Sequence, residues 1–190
     1  MSARAIYLVT NAIEARLKTA LSAAGRPGDT TFVGPLDDPS ASNAALVLFL
    51  YRVTTSDSLR NTEHRLAGVN LGDPEQVFLD ALPLDLHYMI TVGPRDKAGE
   101  SESLRLLGFA LQALNDAQSL TGSQVEGEVV RVSVVSAGSD ELSHVWALFP
   151  TVNYRTSVLY MASPVWIDPA AAAAASPGVA VQDVASGQLN

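Results

Sequence analysis

Apolar side chains first recur at Ile6, Val9, Ile13, Leu17 and Leu21, three or four residues apart. That spacing lines one face of a helix and predicts an amphipathic α-helix over Ala5–Leu21, stopped by Gly25, Pro27 and Gly28. Asp29–Asn43 is broken by Pro35 and Pro39. It reads as a strand stub at Phe32-Val33 and then a loop, with Asp37-Asp38 as a turn signal. Ala44–Tyr51 (AALVLFLY) shows no alternation, so the expectation is a strand covered on both faces. Further on, Leu84, Leu86, Tyr88, Ile90 and Val92 alternate with Asp85, His87, Met89 and Thr91. This period of two predicts a half-buried strand that Gly93-Pro94 ends. Between these two runs, Arg52–Leu82 has no clear period. Its first half, RVTTSDSLRNTEHR, is polar and predicts an exposed excursion, of a length that usually serves function.

The second half of the chain repeats the alternation of elements. Gly99–Gln118 predicts a helix with Leu104, Leu107, Gly108, Leu111 and Leu114 on one face. Glu100 and Glu102 lie in its first turn, where they oppose the positive end of the helix dipole. Glu128–Val135 is a Val-rich strand. Ser139 is placed to cap a short helix carrying Leu142, Val145, Trp146 and Phe149, closed by Pro150. Tyr154–Ile167 is the last strand, with Pro164 marking an edge or a bulge. The order of elements predicts an α/β (α+β) fold, a single mixed β-sheet flanked by helices. Residues 1–167 form the domain, and 168–190 form a flexible or extended C-terminal arm. That arm contains the run Ala170–Ala175 and two charges, Asp168 and Asp183. Within it Val179 and Val181 alternate with Ala180, and Val184 follows, a pattern suited to adding a strand to a partner's sheet edge.

Composition narrows the function classes. Of 190 residues, 47% are hydrophobic and 17% charged, which argues against wholesale disorder. Twelve basic against 20 acidic side chains give a net charge of −8. Such a chain repels phosphate backbones, so nucleic acid is not expected as a partner. The absence of cysteine excludes disulfides, thiolate metal sites and cysteine nucleophiles. The apolar run Ala44–Tyr51 is too short to cross a bilayer, and Glu14, Arg16 and Lys18 interrupt any signal-peptide core near the N-terminus. No targeting segment or membrane insertion is expected.

Candidate chemistry is sparse. The sequence holds no nucleotide-binding G-x-x-x-x-G-K-S/T, no H-E-x-x-H, no calcium loop and no G-x-S-x-G. The three histidines, His64, His87 and His144, are scattered. Asp85 and His87 share one face of a predicted strand and make the one pairing from which a small ligand-binding or hydrolytic domain is arguable. A solvated or interface pair is the simpler reading. His64, beside Glu63 in a polar stretch, reads as solvated, and His144 as a packing or capping residue. Trp146, Phe149, Tyr154, Tyr160 and Trp166 read as core and sheet-face residues rather than a ligand-stacking box. No catalytic residue, bound metal or cofactor is expected.

Four stretches carry a family resemblance: LVLFLYRVTTSDSLRN (46–61), LPLDLHYMITV (82–92), ESLRLLGFALQALND (102–116) and WALFPTVNYRTSVLYMASPVWID (146–168). The most specific pieces are Leu50-Tyr51-Arg52 with Asn61 downstream, the run Leu82–Tyr88, and Tyr154-Arg155 with Ser157. Together they resemble the tail terminator, or cap, proteins of phage-tail-like extracellular contractile injection systems of the antifeeding-prophage and virulence-cassette type. The resemblance covers roughly residues 4–168, and the chain lacks the further C-terminal domain of some relatives. It implies a structural subunit without catalytic residues. Six copies would form a homo-hexameric ring on the distal end of the inner tube, in contact with the inner tube protein and the sheath protein. That ring would stop polymerisation and hold the last sheath layer. Assembly in a bacterial cytoplasm, on a particle that is later released, is implied as well. A baseplate or tube-adaptor subunit of the same particle is the alternative. The interface residues nominated on this basis are Arg52, Arg60, Asn61, His87 and Arg155, with Val179, Val181 and Val184 in the arm.

Overall fold

The first apolar face forms helix α1 (Ala5–Ala23), which buries Val9, Ile13, Leu17 and Leu21 as its spacing requires. The structure is a computed structural model and describes residues 1–66, 76–94, 99–136 and 138–170. After α1 come β1 (Thr31–Val33) and a 3-10 turn (Pro39–Asn43). Asp38 begins that turn by accepting a hydrogen bond from the Ser40 amide at 2.7 Å. Strand β2 (Leu46–Thr55) then lies parallel to β1. The chain continues through β3 (His64–Leu66), β4 (Gln76–Phe78), β5 (Leu82–Val92), α2 (Glu100–Asp116) and β6 (Ser119–Leu120). It ends its described part with β7 (Val130–Val134), α3 (Ser139–Ala147) and β8 (Ser157–Ile167).

Six strands make one mixed sheet in the order β1-β2-β5-β8-β7-β6, every pairing antiparallel except β1 with β2. Helices α1 and α2 cover one face. Their core holds Val9, Leu17, Leu106 and Leu114 against Leu46, Leu48, Leu86, Tyr88, Ile90, Tyr160 and Ala162. The alternate side chains Val47, Met89 and Leu159 face the other way and pack with Val145, Trp146 and Phe149 of α3 and the turn after it. This is the expected mixed sheet flanked by helices. Tyr88, buried in the middle, keeps its hydroxyl satisfied on Thr10 Oγ1 at 2.8 Å. Because Thr10 donates to the Ile6 carbonyl, Tyr88 is the donor of that pair.

Four local expectations change. Strand β5 is not half-buried: His87, Met89 and Thr91 are as covered as Leu86 and Ile90, because α3 roofs the face that alternation assigned to solvent. The buried stripe of α2 is Ser103, Leu106, Leu107, Ala110 and Leu114, leaving Leu104 exposed. Small residues at 103 and 110 let α2 approach the sheet, so leucine count alone misplaces its face. Gly138, not Ser139, is the residue at the cap position of α3, and a glycine has no side chain with which to cap the helix. The stretch read as an irregular excursion contains an antiparallel ribbon, β3 with β4. The ribbon packs Phe78 against Ala81 and Trp166 at the end of the sheet. Pro164 does mark a bulge. Leu84 pairs with Val165 and Leu86 with Ala162, so Asp85 stands opposite both Ser163 and Pro164. The arm residues Val179, Val181 and Val184 lie outside the described residues.

Gly93 closes β5 where the chain touches the start of β2. Its amide donates to the Ala45 carbonyl at 2.8 Å, and a Cβ there would lie 1.7 Å from the Ala44 carbonyl oxygen. Backbone has no rotamer with which to yield. Gly93→Ala is therefore expected to destabilise the chain by about 3 kcal/mol or more, read as a lowered urea midpoint. An unchanged midpoint would mean that the β2–β5 junction is not packed as described.

Candidate functional site: nominated interface residues and a buried ion cluster

The sheet separates the nominated residues. Arg60 and Asn61 are exposed in the turn beyond β2, at the end where Leu82 and Ile167 also lie. Arg155 leads into β8 at the opposite end, beside Thr91 and Gly93. Arg52 sits between them on an outward part of β2, 3.2 Å from Glu141 of α3. A bulge between Leu50 and Arg52 breaks the ladder just there. Beyond Leu48 the outer edge of β2 has no strand partner among the described residues, and a bulge with a charged residue is a usual defence for such an edge.

His87 does not reach a partner: it is 7% exposed. Arg52 donates to its Nδ1 at 3.3 Å, so its Nε2 proton faces Thr54 Oγ1 at 3.1 Å. Burial, and then the Arg52 charge, hold its pKa below the ordinary value, so it stays neutral. Asp85 turns to Ser163, whose hydroxyl donates to it at 2.5 Å. The two residues that sequence alternation placed together thus serve different neighbours, and no nucleophile–base pair forms from them. The late aromatics divide into separate places: Trp146 keeps Phe149 and Tyr154 as ring neighbours, with centroids 6.5 and 5.1 Å away, and the other two lie apart from it. Trp146 and Phe149 sit under the sheet, Tyr160 lies in the core on the other face, Trp166 packs with the ribbon, and Tyr154 is exposed. His144 is exposed in the last turn of α3.

The residue that the sequence misplaces most is His64. Read as solvated, it is 3% exposed and stacks on Trp166, with ring centroids 4.6 Å apart and an interplanar angle of 12°. Phe78 lies on it as well, at 5.8 Å. Ribbon strand β3 carries it under the end of the sheet, where two carboxylates meet it. Nδ1 is hydrogen-bonded to Asp168 Oδ1 at 2.6 Å. Nε2 approaches Glu128 Oε1 to 2.9 Å, an ion-pair distance without hydrogen-bond alignment. The Met1 ammonium binds the same carboxylates, Asp168 at 2.5 Å and Glu128 at 3.1 Å, and the Asp168 amide donates to the Met1 carbonyl at 2.8 Å. Two carboxylates and two nitrogen bases therefore balance when His64 is protonated.

His64, Glu128 and Asp168 each present a ligand atom within 4.8 Å of the others, a set suited in composition to a divalent cation. With Nδ1 committed to Asp168 and the ammonium already on both carboxylates, the arrangement works instead as a closed ion cluster. It joins four stretches of chain: the N-terminus, the ribbon, the entry to β7 and the exit from β8. Asp168, assigned by sequence to the arm, is thereby held in the domain. No spacing rule finds this cluster, because its members are scattered from residue 1 to residue 168.

The chain was compared with known proteins. The family model described as the Pvc16 N-terminal domain matches residues 8–180. No curated protein matches. Among solved structures, the sheath/tube terminator of an extracellular contractile injection system, PVC, in the extended state is similar with a TM-score of 0.61 and 19% identity. The match covers 97% of this chain and 64% of that one. The tube-terminating cap of the anti-feeding prophage is similar with a TM-score of 0.60 and 19% identity, over 93% of this chain and 60% of that one. The chain thus spans about three-fifths of the length of the structures it matches.

Burial works against a charge on His64, but the nearness of Glu128 and Asp168 outweighs it and sets the pKa above the ordinary value. The folded chain then binds this proton more tightly than the unfolded chain does. The resulting stability is complete below about pH 6.5 and is lost as the pH rises through the folded value. Thermal melts between about pH 6 and about pH 9 should show the native chain losing more stability with rising pH than His64→Gln, which starts lower by about 3 kcal/mol. Parallel curves would show that His64 does not carry the charge.

Proposed function

The chain belongs to the family of the Pvc16 N-terminal domain, and from that membership we propose that it is a structural cap subunit of a contractile injection particle, not an enzyme. It closes the distal end of the inner tube and sheath, stops their polymerisation and anchors the last sheath layer. The observation that carries this reading is the extent of the likeness. The match to a sheath/tube terminator covers 97% of this chain. The site chemistry agrees: Asp85 and His87 serve different neighbours, and the ionisable groups drawn together beyond Ile167 neutralise one another.

In this reading six copies form a closed ring, whose heterologous contacts use two different faces of each subunit. Arg60 and Asn61 at one end of the sheet and Arg155 at the other are placed for two such faces. The domain is assembled in the bacterial cytoplasm and carried on the released particle. The arm begins after Asp168, which the ion cluster holds. Its Val179, Val181 and Val184 add a strand to a neighbouring subunit, and the open outer edge of β2 beyond Leu48 is the type of acceptor such a strand requires.

Particles produced without this gene are expected to show a broad distribution of tube and sheath lengths and to lose the extended sheath, as measured by electron microscopy. A length distribution like that of the native particles would reject the cap role. Truncation after Ala170 keeps the Asp168 contacts. It should leave the melting temperature unchanged while particles lose sheath from their ends more readily. Truncated chain that holds the sheath as well as the full chain would reject the arm.

A further inference from the structure

At the end of the sheet opposite the ion cluster lies an open cleft of about 300 Å³. Its walls are the turn after β5 at Pro94, the first turn of α2 at Glu100 and Leu104, and the segment Tyr154–Thr156 that leads into β8. Leu104 and Tyr154 are exposed and give the cleft an apolar rim. Arg155 stands in its wall with Nη1 withdrawn from solvent and no hydrogen-bond acceptor among the described residues. Burial sets its pKa below the ordinary guanidinium value.

This is anomalous for the chain. Acidic side chains outnumber basic ones 20 to 12, and among the described residues four other arginines are matched. Arg26 pairs with Asp29 and Glu102, Arg105 with Glu102, and Arg52 with Glu141. Arg16 donates to the carbonyls of Ala117 and Ser119. Arg155 makes no ion pair among the described residues, and Glu100, the acidic residue among the described lining, does not bond to it. A guanidinium that has lost part of its water without gaining an acceptor is costly, and the geometry that relieves it is a planar two-oxygen anion.

We propose that the Arg155 cleft receives the carboxylate of an aspartate or glutamate side chain from a second copy of this chain. Charge selects that occupant. Each copy carries a net charge of −8, so copies brought side by side repel unless local opposite pairs form between them. A desolvated cation in one copy and the surplus carboxylates of the next are complementary. The apolar rim excludes water from the pair, which strengthens it. The second-copy part rests on the ring reading above; the chemistry of the cleft does not.

Two measurements separate these parts. In the isolated full chain, the backbone amide resonances of Gly99, Glu100 and Thr156, which line the cleft, are followed by NMR during titration with acetate, with inorganic phosphate and with chloride. Saturable binding of acetate is expected, stronger than that of chloride and weakened about tenfold or more in Arg155→Gln, as for loss of one charge-assisted hydrogen bond. The melting temperature of Arg155→Gln should match or exceed that of the native chain. A non-saturating shift, equal responses to acetate and chloride, or a marked loss of stability in Arg155→Gln would overturn the cleft chemistry. A preference for phosphate over acetate would overturn the carboxylate assignment.

In assembled particles, a benzophenone side chain at position 154 should cross-link to an acid-bearing peptide of a second copy. A cross-link to another particle component, to a peptide without a carboxylate, or no cross-link would overturn the second-copy occupant. If acetate saturates the cleft while the chain is absent from particle ends, the ring reading fails and the cleft chemistry stands.

Discussion

Strand β5 has both edges and both faces occupied, and the rest of the structure is arranged to meet that condition. Its backbone pairs with β2 on one side and β8 on the other along almost its whole length. Its side chains are divided between the α1–α2 core and the α3 core. A strand in this position tolerates no unmatched polar group. Tyr88 is satisfied by Thr10, Thr91 donates to the Thr156 carbonyl, and His87 is held neutral between Arg52 and Thr54. Asp85, the one acid on β5, sits at the bulge where Ser163 is free to donate to it. The polar residues of this strand are therefore structural, which is the physical reason that a catalytic reading of Asp85 and His87 fails.

Elements whose apolar pattern faces a single neighbour were legible in the sequence. The stripe of α1 was placed correctly, because periodicity reports burial directly when one surface does the burying. The apolar run of β2 was legible as a strand covered on both faces, although the strand continues to Thr55, into the stretch read as an excursion. β5 was legible as a strand but not as a doubly covered one. Its second face carries His87, Met89 and Thr91, which can lie in water equally well until α3 is placed over them. The face of α2 was misplaced because close packing uses small residues, Ser103 and Ala110, that hydrophobicity ranks below Leu104. His64 was misplaced for another reason: its neighbours Glu63 and Arg65 are exposed, while its partners Glu128 and Asp168 are distant in sequence. Local polarity describes a neighbourhood along the chain, whereas an ion cluster is a neighbourhood in space. Motifs brought the family within reach where geometry along the chain did not.

The ends of the sheet differ in a way that fits a subunit with two working faces. At one end the charges are internally matched and buried, and they bind the N-terminus, the ribbon and the root of the arm into one unit. At the other, Arg155 has no ionic partner among the described residues and stands beside an apolar rim. Closed ion clusters tend to specify a conformation rather than to attract partners, and unmatched desolvated charges do the reverse. Under the proposed ring, an acidic subunit beside identical acidic subunits needs both: a rigid frame, and a local site where repulsion becomes attraction.

The central claim is that this chain closes one end of a tube and sheath. Reconstruction of particle ends by electron cryo-microscopy, without imposed symmetry, tests it most directly. The account predicts six copies of this fold in a closed ring at the end opposite the baseplate, in contact with the last tube and sheath layers. Density for the fold along the shaft or in the baseplate, an end without it, or a ring of any other number would contradict the account.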